Sequence, residues 1–417
     1  MNAETPVRGA HLVTAGTRGR AGTGWLARLV AGGFGRIVGR IERGLEHGSL
    51  LATLPDGSQR MLGGRGDGPQ AEIDLRHWNA LLRLATGGSV GWYQAWEASE
   101  WDSPDPVQIF ALFMRNAATL GGVARAKGPW RWLLRRLHAL QRNTPDQAQQ
   151  NIAAHYDLGN DFYAAWLDPT MSYSSALFEA GPSDLERAQR AKMGAIAGRI
   201  GLAPDDRVLE IGCGWGSLAR MLAEGSGAEV LAISLSDEQL AYARDHGADS
   251  GVEFRKADYR EVAGQFDAVV SVEMVEAVGR EYWPAFFDCL GRCLKPGGRA
   301  ALQFISIRDE LFEAYAASAD FIQTYIFPGG MLVRESEFRR LSAERGLEWR
   351  DQRDFGLDYA KTLRLWRERF DAAVEGGRLP AGFDARFVRL WRYYLMYCEG
   401  GFRGGGIDVS QVTLVKR

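Results

Sequence analysis

The sequence predicts an α/β protein: a doubly wound, mostly parallel sheet, preceded by a smaller α+β domain. Three observations carry this. After about residue 200, short apolar strands alternate with helical stretches, the succession that builds a parallel sheet through βαβ crossovers. A glycine-rich loop, Glu210-Ile-Gly-Cys-Gly-Trp-Gly216, separates the first of these strands from the next helix. The composition is that of a folded chain, since 46% of its 417 residues are hydrophobic and 24% charged, unlike the apolar-poor, highly charged balance of disorder.

In chain order, residues 1–24 are Gly/Thr/Arg-rich and read as a disordered N-terminus without the apolar core of a signal peptide. From Trp25 to Glu46, Leu26, Leu29, Val30, Phe34, Ile37, Val38 and Ile41 recur at helical spacing with Arg28, Arg36, Arg40 and Arg43 between them, a basic amphipathic helix. Residues 49–90 read as short strands and turns, with a loop at Gly63–Gly68. Pro104 and Pro106 precede an apolar helix from Val107 to about Gly121. A second basic amphipathic stretch, Trp130–Leu140, follows, and Asn143-Thr144-Pro145-Asp146 is a turn and helix start. The domain boundary falls there, giving an N-terminal domain over 25–145, membrane-associated in the reading developed below, and a catalytic domain over 146–417.

The later pattern is strand Arg207–Ile211, helix Ser217–Glu224, strand Ala228–Ile233, helix Asp237–Asp245, strand Val252–Arg255 and strand Phe266–Val272. A helix from Tyr282 to Leu294 then leads through the turn Lys295-Pro296-Gly297-Gly298 to a strand from Ala300 to Ile307.

Four scattered cysteines, Cys213, Cys289, Cys293 and Cys398, do not make a dense disulfide framework and suit a reducing compartment. The six histidines and the cysteines show no metal-ligand spacing, so no metal is expected. No uncharged apolar run approaches the ~18 residues of a spanning helix. Residues 1–150 hold 18 Lys+Arg against 12 Asp+Glu, and the rest 32 against 40. A basic front on an acidic back suggests different partners for each, one of them anionic. Nucleic acid is not expected, since no nucleic-acid motif accompanies the basic stretches and the overall balance is mildly acidic.

Glycines between a strand and a helix let backbone approach a ligand closely. The spacing here is Gly-x-Gly-x-Gly, without the dinucleotide Gly-x-x-Gly, and Glu210 stands just before it. This combination resembles the first motif of Rossmann-like class I S-adenosylmethionine (SAM) methyltransferases. The next strand ends Ile233-Ser-Leu-Ser236, where a ribose-binding acid is usual. Residues from about 150 onward are similar to the cyclopropane-fatty-acyl-phospholipid synthase and mycolic-acid methyltransferase family. The similar stretches are His155-Tyr-Asp-Leu-Gly-Asn-Asp161, Met171-Ser-Tyr-Ser-Ser175, Val208–Gly216, Ser234-Leu-Ser-x-x-Gln239 and Ser271-Val-Glu-Met-Val-Glu-Ala-Val-Gly279. Tyr325-Ile-Phe-Pro-Gly-Gly330, Phe355-Gly-x-Asp-Tyr359 and Tyr397-Cys-Glu-Gly-Gly-Phe-Arg403 follow in family order.

The resemblance implies SAM as cofactor, touched by Tyr173, Ser174, Gly212, Gly214, Trp215, Gly216, Ser234, Leu235 and Gln239, with Glu210 toward its amino-acid part. Asp258 and Tyr259 would flank the adenine. It implies transfer of a methyl or methylene carbon to the cis double bond of unsaturated acyl chains of membrane phospholipids. The products would be cyclopropane, methyl-branched or methylene chains. An alkene attacking an electrophilic methyl leaves a cation on the chain, so the site needs a water-excluding groove, negative or π-rich groups and a base.

The family resemblance further implies bicarbonate as that base, held by Cys, Glu, His and Tyr. Glu276 and Tyr359 supply two of these; Ser175 stands at the cysteine position and Ile305 at the histidine position. With two holders altered, either bicarbonate is held by fewer contacts or the proton goes elsewhere, with Glu276 as a candidate acceptor; the expectation leans toward methyl-branched or methylene products. Cys398 is a further catalytic candidate, and Ser175, Ile305, Phe321, Tyr325 and Phe327 are expected to line the lipid site. Access to lipid calls for a cytoplasmic protein peripheral at the inner membrane surface, with Trp130–Leu140 as the interfacial helix, and a homodimer is compatible with it. Two other readings remain: a methyltransferase for a soluble small molecule, and a non-catalytic lipid-binding protein.

Overall fold

A computed structural model describes residues 8–15, 31–121, 158–178, 184–317 and 319–417. The interfacial stretch Trp130–Leu140, the boundary at 143–146 and His155 lie outside the described residues. The chain forms two compact units, Met1–Gln141 with Glu310–Pro328 and Ala381–Ile407, and Arg142–Asp309 with Gly329–Pro380 and Asp408–Arg417. The division is discontinuous: the chain returns twice to the first unit after leaving it.

The first unit holds a four-stranded sheet, β1 (Ser49–Thr53), β2 (Gln59–Gly63), β3 (Gln70–Leu75) and β4 (Trp101–Asp102), in the order β2-β1-β3-β4. The basic amphipathic segment forms a helix over Ala31–Gly44, with Phe34, Val38 and Ile41 buried. Within the expected N-terminal disorder, Ala10–Thr14 makes one helical turn with Leu12 and Val13 buried. Within the span 49–90 read as strands and turns, the strands end at β3, because Asn79–Glu97 is a helix, kinked at Gly88. The apolar segment after Pro106 breaks at Asn116 into Pro106–Arg115 and Ala117–Leu120. There the Asn116 amide satisfies backbone groups of Glu46, His47 and Leu112.

The core of this unit is aromatic. Tyr93, Phe321, Tyr325, Tyr393 and Phe110 pack ring against ring, with Tyr93 5.0 Å from Phe321 and 4.7 Å from Tyr325. Phe321 and Tyr325, expected to line a lipid site, are buried core residues here. Phe327 packs on Tyr394 at 6.4 Å. The helix Ala385–Arg403 packs on Pro106–Arg115 at Gly400, where a Cβ would come within 2.3 Å of Phe110 Cβ.

The second unit is built on a seven-stranded sheet: β5 (Arg207–Ile211), β6 (Glu229–Ser234), β7 (Glu253–Lys256), β8 (Phe266–Val272), β9 (Leu294–Ile307), β10 (Leu347–Asp354) and β11 (Ile407–Lys416). Their order is β10-β11-β9-β8-β5-β6-β7. Strands β9, β8, β5, β6 and β7 run parallel, whereas β10 and β11 pair antiparallel. The predicted turn at Lys295–Gly298 is absorbed into β9 as an irregularity, marked by a register shift opposite Phe266 and Ala268. Strand order reverses at β5, so the crevice beyond its carboxyl end is where such sheets take ligands.

Candidate active site

The loop after β5 opens that crevice. Gly212 has φ +85°, and a Cβ there would meet Met274 Cγ at 2.6 Å, so the loop needs glycine for both backbone conformation and space. The amides of Gly212 and Cys213 donate to Ile233 O at the end of β6, both at 3.0 Å. A cavity runs from this loop along the carboxyl ends of β5, β6, β7 and β8.

The cavity wall includes Tyr173, Ser174, Glu210, Gly212, Gly214, Trp215, Ser234, Leu235, Gln239, Asp258 and Tyr259. Gly216 is not part of it. It caps the helix Ser217–Ser226 at φ +81°, where a Cβ would lie 2.7 Å from Phe254, so its glycine serves the turn and packing. Trp215 Nε1 donates to Asn160 Oδ1 at 2.7 Å. Ser236 caps the helix Asp237–His246, leaving Ser234 and Gln239 on the wall, 3.3 Å apart. Both Asp258 oxygens accept from the Arg260 guanidinium, so that carboxylate is already committed. Tyr173 brings its ring against Tyr163, Trp166 and Trp366.

Burial and charge coincide here. Glu210 is 3% exposed, its Oε2 has no partner among the described residues, and burial pushes its pKa up to about 8. Lys192, from the helix Leu185–Ile200, is also 3% exposed and lines the cavity, and burial lowers its pKa to about 8. Its Nζ donates to Ser174 Oγ at 2.7 Å.

At the end of β8 the chain turns through Glu273, a non-glycine residue at φ +47°. Such a conformation is strained for an L side chain and needs surrounding structure to hold it. Glu273 lines the cavity. Its Oε1 accepts from Ser175 N–H at 2.9 Å and Gln303 Nε2 at 2.7 Å, and its Oε2 from Tyr359 Oη at 2.8 Å. Gln303 is itself oriented by Gln411, whose Nε2 donates to Gln303 Oε1 at 3.0 Å. Burial raises the Glu273 pKa, against the opposing pull of these donors. Glu276 sits behind it, off the cavity wall; its Oε1 accepts from Ile305 N–H and its Oε2 has no partner among the described residues. Burial first, and Glu273 second, push its pKa up to about 8, so it is mostly protonated at neutral pH.

Three of the catalytic candidates thus gather around one carboxylate that the sequence reading did not single out. Ser175 contributes its backbone, Tyr359 its hydroxyl, and Glu276 a second acid. The polar side chain arriving from β9 is Gln303, two residues before Ile305, which contributes only its N–H. Cys398 lies on the helix Ala385–Arg403 of the other unit, where burial raises its thiol pKa far from thiolate reactivity. Lys192 and Gln303 were also missed. The signal available for Glu273 was its place in Ser271-Val-Glu-Met-Val-Glu276, immediately beyond a central strand.

The orphaned Glu210 oxygen, the serine-rich second strand end and the aromatic wall suit a ligand that joins an amino-acid zwitterion to a ribose and a base. This sheet, its glycine loop and this cavity define a Rossmann-like class I SAM-dependent methyltransferase. The family described as mycolic acid cyclopropane synthetase matches residues 143–412. The tuberculostearic acid methyltransferase UfaA1 of Mycobacterium tuberculosis is 36% identical over 400 residues, 90% of each chain. The cyclopropane-fatty-acyl-phospholipid synthase of Escherichia coli K12 is 33% identical over 343 residues, 82% of this chain and 87% of that one. Among solved structures, mycolic acid cyclopropane synthase CmaA1 complexed with SAH and CTAB superposes with a TM-score of 0.61 at 32% identity, covering 64% of this chain and 98% of that one. The cyclopropane synthase MmaA2 from Mycobacterium tuberculosis gives 0.60 at 30%, with the same coverage. The protein belongs to the mycolic acid cyclopropane synthetase family and is a SAM-dependent enzyme.

Proposed function

We propose that the enzyme transfers the methyl carbon of SAM to the cis double bond of unsaturated acyl chains in membrane phospholipids, and that Glu273 accepts the proton released. Lipid acyl chains as substrate class are supported by the names of the relatives above. The observation that carries the chemistry is the Glu273 carboxylate on the cofactor-cavity wall, fixed by three donors.

SAM supplies an electrophilic methyl when bound. Ser234, Leu235, Gln239 and the loop at Gly212 and Gly214 would hold it, with Asp258 and Tyr259 at the base. Glu273 then does two things. Its negative charge stabilises the cation that develops on the acyl chain, joined by the Tyr173 ring on the same wall. Its oxygen removes the proton, a step for which a raised pKa improves the match to neutral pH. Ser175 N–H, Gln303 and Tyr359 position the carboxylate, and Glu276, kept mostly neutral, limits the charge on the pair.

Bicarbonate does not fit this arrangement. The donors available to it, Ser175 N–H, Gln303 and Tyr359, are engaged with Glu273, and a second anion beside that carboxylate would be repelled. A proton lost from a chain carbon leaves a methyl-branched alkene, and one lost from the new methyl leaves a cyclopropane or a methylene; the altered bicarbonate holders lean the proposal toward the methyl-branched and methylene products. The enzyme would work as a peripheral protein at the cytoplasmic membrane surface. Glu273→Gln tests the assignment: turnover on vesicles of cis-unsaturated phospholipid should fall by about 10²–10⁴-fold while SAM still binds. Unchanged turnover would remove Glu273 from the mechanism.

A further inference from the structure

The base proposed above is a buried carboxylate, and an ion in that position needs opposite charge or a full set of hydrogen bonds close by. Burial pushes Glu273 toward its neutral form, and the groups that oppose this are Gln303, Ser175, Lys192 and Tyr359. Of these, Lys192 alone carries a formal charge at neutral pH. The dependence is mutual, since Glu273 acts on the Lys192 ammonium more strongly than Asp168 or Glu210 does. Glu210 and Glu276, each with a pKa of about 8, are mostly protonated at neutral pH. Asp168 accepts from the N–H and hydroxyl of Thr170. Arg260, the other cation on the cavity wall, is taken up by Asp258.

Hydrogen bonds tie the two residues by two routes. Lys192 Nζ donates to Ser174 Oγ at 2.7 Å, and the N–H of the next residue, Ser175, donates to Glu273 Oε1 at 2.9 Å. Gln411 Nε2 donates to Lys192 O at 3.5 Å and to Gln303 Oε1 at 3.0 Å, and Gln303 Nε2 donates to the same Glu273 oxygen at 2.7 Å. Both donors to Glu273 Oε1 are thus linked to Lys192, one through its side chain and one through its carbonyl. Ser174, Ser175, Gln303 and Gln411 are all buried. We propose that Lys192 is the positioning residue of the proton-accepting carboxylate: its ammonium is the counter-charge of Glu273, and its two hydrogen-bonded routes hold the donors that aim that carboxylate. This rests on the reading that Glu273 is the base.

The pH–rate profile of the full chain, with saturating SAM and vesicles of cis-unsaturated phospholipid, tests it. In wild type the rate rises as Glu273 ionises. In Lys192→Met that limb should move up by about one pH unit or more, roughly a tenfold loss of rate below it. The gap should narrow at alkaline pH, where wild-type Lys192, its pKa lowered to about 8, is neutral too. Lys192→Gln keeps a donor for Ser174 without the charge; it should show the same displacement, and serves as the test if the methionine variant does not fold. Lys192→Arg should leave the limb in place. A limb unmoved in the neutral variants, with turnover merely lower at every pH, would overturn the assignment. Glu273→Gln separates this outcome from failure of the base itself. If that variant keeps both turnover and the limb, the base reading falls; if it loses them while the Lys192 variants leave the limb unmoved, only the role of Lys192 falls.

Discussion

Glu273 and Glu276 lie three residues apart at the end of β8 and are given opposite tasks by their surroundings. Glu273 has three donors and faces the cavity; Glu276 has one N–H and an orphaned oxygen. Two acids whose environments separate their ionisation are the usual basis for assigning distinct roles. Because the Glu273 pKa is raised, activity should climb with pH as that carboxylate ionises, and Glu273→Gln should lose this limb of the pH–rate profile. Glu276 makes a separate prediction about stability. Its folded pKa of about 8 lies above the ordinary 4.5, so between those values the folded state binds more protons than the unfolded one, and its contribution to stability falls as pH rises. Glu276→Gln removes that dependence. Denaturant titrations at pH 5 and 8 should show the variant gaining stability relative to wild type at the higher pH; a constant difference would contradict the buried neutral acid. The residue types at this site were legible only in part. The glycine loop and Ser234 could be read from local spacing, but Lys192, Gln303 and Glu273 meet only through tertiary packing between a helix and two strands.

At the scale of elements, strands buried on both faces were the readable ones. Phe266–Val272 is β-branched and apolar, and its predicted limits are those observed. The edge strand β10, Leu-Glu-Trp-Arg-Asp-Gln-Arg-Asp, carries mostly polar side chains and gives no such signal, and its partner β11 was equally unread. The kinked helix Asn79–Glu97 was missed because Gly87, Gly88 and Gly91 interrupt its pattern, whereas packing in the aromatic core supplies what propensity lacks. The helix Ala385–Arg403 depends on close approach at Gly400. Gly400→Ala should destabilise the protein by about 1–3 kcal/mol through forced separation from Phe110, read as a lowered unfolding midpoint. No change would mean the two helices are not in register as described.

For the whole molecule, similarity to UfaA1 spans 90% of the chain, and so takes in most of the front portion as well as the SAM-binding unit. The basic front has the charge for an anionic surface, and no described helix is long and apolar enough to cross a membrane. Replacing Arg131, Arg135 and Arg136 with Gln should weaken binding to anionic phospholipid vesicles in a salt-dependent way; sedimentation with unchanged binding would exclude that stretch as the contact. The most direct measurement is to incubate wild type and Glu273→Gln with trideuteromethyl-labelled SAM and vesicles of cis-unsaturated phospholipid, then count deuterium in the recovered acyl chains. Wild type should place label on the chains, with three deuteriums in a methyl-branched alkene or two in a methylene product, and the variant should place at least about 10²-fold less while still binding SAM. Unlabelled chains from a wild-type protein that binds SAM, or equal labelling by the variant, would contradict Glu273 as the base for carbon transfer to lipid.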